Sequence, residues 1–284
     1  MKRIVVPALL SVITCISSIV AADSILPRSE DIYQGWLKMY DLEFDEAHRI
    51  FGQWTQSHPA DSLGPASDAA GYLFSELARL GALESELFVD DARFAERKKL
   101  QPDPQVRLHF NQQINQADSL ADSTLQKSPN DGNALFVKTL TCGLRADYAA
   151  LVDKQNLVAL SYTKEGRPYA DKLVSVDPGA FDAYLGSGVE NYLLSLKPAP
   201  LRVLLRLTGS RIDREKGLEH LRMTALYGYY LEPFAKLLLA VAALRDKNLE
   251  QAAELLRGLR DRFPNNELYS RELDRISSKT PVNR

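Results

Sequence analysis

Thiols are almost missing from this chain of 284 residues, which has only Cys15 and Cys142. Cys15 falls in an apolar N-terminal stretch, so once that stretch is set aside Cys142 has no intramolecular disulfide partner. Between Leu140 and Leu144 on a helical pattern, it reads as a small buried hydrophobe and not as a reactive thiol. No Asn-x-Ser/Thr acceptor occurs, so nothing marks a glycosylated secreted protein. Gly-Lys never occurs either, which removes the phosphate-cradling loop of nucleotide hydrolases. Asp45-Glu46-Ala47-His48 spells the acidic box of some helicases, but without that loop it reads as solvated helix flanks around a small packing residue. The four histidines, His48, His58, His109 and His220, include neither His-Glu-x-x-His nor a pair four apart, so no helical zinc site is expected. Gly186-Ser187-Gly188 lacks the spacing of a nucleophile elbow, and its glycines are expected to permit close helix packing. There is no long basic run and the formal net charge is −2, so no electrostatic footprint for nucleic acid is present. These patterns predict no catalytic residue, no metal ligand, no cofactor and no small-molecule substrate.

The N-terminus carries a positive signal. Lys2 and Arg3 precede an apolar stretch from Ile4 to Val20, and Ala21-Ala22-Asp23 follow. A charged start, an apolar run and a small-residue cleavage site predict a secretory signal over 1–22, cut after Ala22, and one exported domain over 23–284. An uncleaved anchor is the alternative, but the run is short for a membrane span and is broken by Pro7. Thr14 before Cys15, with apolar residues continuing beyond, argues against lipidation there. Cleavage takes Lys2 and Arg3 with it and turns the formal net charge of −2 into −4. The expected location is periplasmic or secreted.

The remainder reads as helix throughout. A 45% apolar and 25% charged composition is that of a globular chain. Helical periodicity fills nearly every long segment and strand alternation is absent, so the class is all-α. A small residue, eleven intervening positions and a proline recur four times: Ala47 and Pro59, Ala117 and Pro129, Gly166 and Pro178, Ala252 and Pro264. Proline is tolerated at helix starts and after helix ends, so each pair predicts a helix stopping just before its proline. Helices are predicted near 30–41, 44–57, 66–80, 104–127, 132–147, 149–163, 167–176, 179–195, 211–227, 233–246, 248–262 and 265–278. His58, just before Pro59, is expected to cap the end of its helix. In the C-terminal hairpin Phe234, Leu237, Leu238, Val241 and Leu244 face Leu249, Ala252, Ala253, Leu256 and Leu259 across the turn at Asp246-Lys247-Asn248. Ala252 is small because two helices cross closely there.

Residues 233–266, with Ala240, Leu249, Ala252, Leu256 and Pro264, resemble a tetratricopeptide repeat. So do residues 28–61, with Gly35, Phe44, Ala47, Phe51 and Pro59, while 181–192 supplies a first helix with Tyr184 and Gly188 in place. The resemblance implies an α-solenoid of stacked helical hairpins that binds proteins or peptides, and it carries over no catalytic residue. The family's carboxylate clamp uses Lys and Asn on the inner helix; here Asp182, Leu185, Val189 and Tyr192 stand at those positions, so the clamp is absent from this unit.

Three stretches remain. Leu201, Arg202, Val203, Leu204, Leu205, Arg206 and Leu207, between Pro200 and Gly209, suit a short amphipathic helix. Such a helix either lies on a membrane surface or in a partner's groove, or packs between repeats with its arginines reaching water. Tyr227, Tyr229 and Tyr230 cluster at a bend, as an interface or as corner packing. Glu84, Glu86, Asp90 and Asp91 before Arg97-Lys98-Lys99 read as a solvated connector. The function expected is that of a non-catalytic scaffold or adaptor in the cell envelope, holding a protein or peptide partner in its concave face. The alternatives are an enzyme whose site is assembled from scattered Glu, Asp and His, and an obligate structural subunit of an envelope complex.

Overall fold

The computed structural model of the chain describes residues 28–82 and 101–279. The expected signal at 1–22 and the acidic connector with Glu84, Glu86, Asp90 and Asp91 lie outside the described residues. Within them the chain forms twelve α-helices and no strand, so the all-α class holds. These are α1 (Glu30–Tyr40), α2 (Phe44–Ser57), α3 (Leu63–Arg79), α4 (Pro104–Lys127), α5 (Gly132–Asp147) and α6 (Asn156–Val176), then α7 (Tyr184–Ser195), α8 (Ala199–Leu207), α9 (Arg214–Tyr227), α10 (Glu232–Arg245), α11 (Leu249–Arg262) and α12 (Glu267–Lys279).

Polar side chains start several of these helices by accepting backbone N–H groups that the first turn leaves unpaired. Asp103 accepts from Gln105 and Val106, Asp131 from Ala134, Asp213 from Lys216 and Asn248 from Gln251. The ends are equally regular. After α1, Leu42 takes a positive φ of 63° and Glu43 N donates back to Lys38 O; after α10, Lys247 takes 59° and Asn248 N donates back to Ala243 O. Both are the same left-handed helix stop. They fall at equivalent places in 28–61 and 233–266, so the two segments share a turn as well as a pattern.

Packing follows chain order: each helix from α1 to α7 rests on the next, α7 rests on α9, and the order then continues to α12. Ala47, Ala117 and Ala252, predicted to sit at helix crossings, are all completely buried. A Cβ on Gly35 would stand 2.4 Å from the Phe51 ring, and one on Gly166 would stand 2.8 Å from Cys142 Cβ. The small residues are therefore set by the neighbouring helix, because interiors packed at crystal density leave no slack. Cys142 is buried with a free thiol, and burial pushes its pKa up to about 11.

Several boundaries differ from expectation: the helix expected at 179–195 begins at Tyr184, after a 3₁₀ turn, the one expected at 211–227 begins at Arg214, and two further differences have a plain physical reason. The predicted helices 149–163 and 167–176 are one helix, α6, with Pro168 inside it. α6 packs along α5, buries Ala159, Gly166, Ala170 and Leu173, and runs through the proline because that burial outweighs one lost hydrogen bond. The chain before it is a π turn, Tyr148–Val152, with Asp153 N donating to Tyr148 O at 3.1 Å. α3 begins at Leu63 and not at 66, with Pro65 in the first turn, where its missing N–H has no partner to lose.

The array also meets itself. Asn266 Nδ2 donates to Tyr40 O at 3.0 Å, and Asn265 donates to Asp41 from its backbone at 2.8 Å and its side chain at 2.9 Å. The Tyr40 and Phe263 rings lie 5.7 Å apart, and those of Phe74 and Phe234 5.4 Å. The α1–α2 turn and Phe74 of α3 thus touch α10 and the α11–α12 loop, and one hydrophobic core includes residues of α1, α3 and α10 to α12.

Candidate functional site

A buried carboxylate organises the tyrosine bend. Asp182, in the short 3₁₀ turn Phe181–Ala183, is buried and accepts from the backbone N–H of Tyr229 at 3.1 and 2.9 Å, Tyr230 at 3.2 Å and Leu231 at 2.8 Å. Burial raises its pKa, and those three N–H groups partly offset the rise. Gly228 is required: a Cβ there would stand 2.5 Å from Thr224 O and 2.9 Å from Asp182 Oδ1. Tyr230 is fully buried between Trp36 (centroids 5.7 Å) and Phe136 (5.9 Å), and Tyr40 Oη donates to its carbonyl at 3.0 Å. Tyr229 stacks on Tyr33 at 4.4 Å. Of the three tyrosines expected to meet a partner, Tyr230 belongs to the core and Tyr229 to the seam; Tyr227 alone is largely free, at 58% exposed. Asp182, read from sequence as an inner-face position, is the anchor of the corner.

The helix expected at 201–207 exists as α8, and it has no buried residue. Leu201, Val203, Leu204 and Leu207 are 41, 56, 57 and 81% exposed, while Leu205 is half-buried. Arg202 is half-buried and Arg206 exposed, and both bond neighbouring backbone. Arg202 donates to Ser195 O at 3.0 Å and Arg206 to Ile212 O at 2.9 Å, so they hold the helix to the chain on either side.

The imidazoles and carboxylates are mostly occupied. His48 Nδ1 lies 2.5 Å from Asp68 Oδ1, with its ring against Tyr72, so it turns onto α3 and is not the solvated flank expected. His58 caps α2 as predicted, its Nδ1 lying 3.3 Å from Trp54 O and its ring stacked on Trp54 at 3.9 Å. His220 Nδ1 lies 3.1 Å from Ser187 Oγ, a pairing that sequence reasoning missed, and burial lowers its pKa. Asn191 also donates to that serine, at 3.3 Å. Among the described residues no acidic side chain hydrogen-bonds the other His220 nitrogen, so the pair lacks the third member of a nucleophilic triad. No group of three or more His, Cys, Asp or Glu among them is arranged to hold a metal ion.

An open cleft of about 480 Å³ lies where the α2–α3 and α4–α5 loops run side by side. His58, Pro59, Ala60, Asp61 and Ser62 form one wall, Asp131, Asn133 and Thr124 the other. Asp61 ties the walls together: it accepts from Leu63 N at 2.9 Å, Asn133 Nδ2 at 2.7 Å and Trp54 Nε1 at 2.8 Å. Asn133 Oδ1 is buried with no hydrogen-bond partner. The sequence held a signal for this edge that went unread. Asp61, Asp131 and Asn266 each follow a loop proline by two residues, and each accepts an N–H of the helix it precedes.

Asp147 stands apart, half-buried at the end of α5 beside the π turn. Burial alone pushes its carboxyl up to about 7. Because the folded value exceeds the unfolded one, its contribution to stability is present at low pH and is lost as pH rises toward 7. Asp147→Asn should therefore stabilise the fold by roughly 1–2 kcal/mol at pH 8, after allowing for partial solvent contact, and change little near pH 4. Urea unfolding at the two pH values measures this, and coincident curves at pH 8 would remove the argument.

No protein-family model matches the chain, and no curated protein matches it. Among the described residues no helix is long and apolar enough to cross a membrane.

Proposed function

We propose that the chain is an exported, non-catalytic α-solenoid of the tetratricopeptide type, a scaffold or adaptor that holds a protein or peptide partner in the cell envelope. Chain-order packing of helical hairpins, with shared turns in the first and last, supports the solenoid reading. The partner's place moves from the concave face to the edge, because the inner space around Tyr230 is filled by the chain's own aromatic rings. Structural duties of the polar groups support a binding role over an enzymatic one. Asp61, Asp131 and Asp182 each hold backbone N–H groups, and Asp68 is paired with His48.

The observation that carries the reading is the edge cleft with an acceptor of unused capacity, Asn133 Oδ1, in its wall. An unmet buried acceptor is costly, and an extended peptide's N–H satisfies it. The test is a photo-crosslinking residue at exposed Ala60, used in cells. A discrete adduct is expected, with a yield falling about fivefold or more when Asn133→Leu is added, a change worth about 1 kcal/mol of binding. Either no adduct or an adduct unaffected by that substitution, in protein with an unchanged unfolding curve, would defeat the proposal.

A further inference from the structure

The edge cleft has a charge that nothing in the chain answers. Asp61 and Asp131 line it, and no Lys or Arg does. Asp61 accepts from Leu63 N, Asn133 Nδ2 and Trp54 Nε1, and Asp131 accepts from Ala134 N, all of them uncharged donors. Among the described residues neither carboxylate takes part in an ion pair, unlike Asp118, Asp153 and Asp171, which are paired with Arg145, Arg107 and Arg211. Lys127, at the end of α4, is exposed and stands outside the lining. Two helix starts, of α3 and α5, and two helix ends, of α2 and α4, meet here. Their dipoles offset one another, so the two carboxylates set the sign.

Hydrogen-bond capacity points the same way. A carboxylate offers about four acceptor sites, and the side chain of Asp131 fills one of them, with Ala134 N. Asn133 gives Nδ2 to Asp61 and keeps Oδ1, buried and without a partner. His58 Nδ1 lies 3.3 Å from Trp54 O, which can only accept, so in the neutral ring the proton sits on Nδ1 and Nε2 holds a lone pair. The hydroxyls of Ser62 and Thr124 serve either way. Acceptors predominate around the space, and a guest has to bring donors and positive charge.

We propose that the cleft takes a basic side chain, arginine or lysine, of an extended peptide, with Asp131 as its main counter-charge and Asp61 and Asn133 beside it. The inference rests on the edge-cleft reading of the function and adds the charge of the guest. A guanidinium carries five donors and no acceptor, and an ammonium three donors, so each supplies what the lining lacks. The cleft is open to water, so the preference is moderate and falls with salt.

The test uses the full chain with the photo-crosslinking residue at Ala60 and short synthetic peptides that differ at one central position: arginine, lysine, citrulline, leucine or glutamate. Citrulline keeps the length and planarity of arginine without its charge. Capture of the arginine and lysine peptides should exceed that of the citrulline peptide by about fivefold, and should fall toward it in about 0.5 M salt. Asp131→Asn should cut the preference to about twofold or less. That variant removes the charge but keeps an oxygen for Ala134 N, and asparagine caps a helix as well as aspartate does, so the fold is retained. Equal capture of all five peptides would overturn the inference and leave the peptide reading intact, whereas capture of none would overturn both. A preference that Asp131→Asn leaves unchanged would also overturn it. So would loss of capture in about 1 mM calcium chloride at matched ionic strength, which would assign the cleft to a metal ion.

Discussion

Asp182→Ala should lower the unfolding free energy by about 4 kcal/mol, read as a shift of the urea midpoint at unchanged slope. The carboxylate sits in the turn before α7 and receives the backbone N–H groups of Tyr229, Tyr230 and Leu231, which lead into α10. Truncation leaves all three donors buried, and each unmet donor costs about 1–3 kcal/mol less whatever water regains. The loss would also reach Tyr230, whose ring joins α1, α5 and the bend. Asp182→Asn keeps one acceptor oxygen and should lose about half as much. A loss below about 1 kcal/mol for the alanine variant would show that aromatic packing holds the corner without the carboxylate.

Gly217→Ala should cost about 3 kcal/mol although it adds only a methyl group. In the crossing of α7 and α9, a Cβ on Gly217 would stand 2.6 Å from Tyr192 N and 3.0 Å from Gly188 O. Both obstacles are backbone, so no rotamer relieves them and the two helices must separate. The contrast is Gly258→Ala in α11, where nothing lies within 4 Å. There the better helix propensity of alanine should stabilise by about 0.5–1 kcal/mol. The same substitution at two helical glycines thus takes opposite signs, and thermal unfolding of both variants decides it. Equal effects would mean that the α7–α9 crossing is looser than these distances require.

Most of the helical layout was legible because its marks are local. Prolines and small crossing residues announce helix ends and close approaches, and Ala47, Ala117 and Ala252 sit where that logic puts them. α6 was not legible as one helix, since Pro168 carries the same local mark as a true boundary; only packing against α5 overrides it. The candidate sites divide in the same way. α8 could be read from its own sequence, but not its mounting, which depends on carbonyls at Ser195 and Ile212 and on cations from α6. Asp182 looked like one polar residue on a helix face, because its partners lie 47 to 49 positions further along the chain. The edge cleft combines two loops 72 positions apart through the bond between Asp61 and Asn133, and no periodicity encodes that meeting.

The seam between Tyr40, Asp41 and the residues Asn265 and Asn266 changes what the molecule is mechanically. A row of hairpins with free ends behaves as a spring, lengthening and untwisting at little energetic cost. Here the bonds from Asn265 and Asn266 tie the α1–α2 turn to the α11–α12 loop, so any such lengthening between those two places has first to break them.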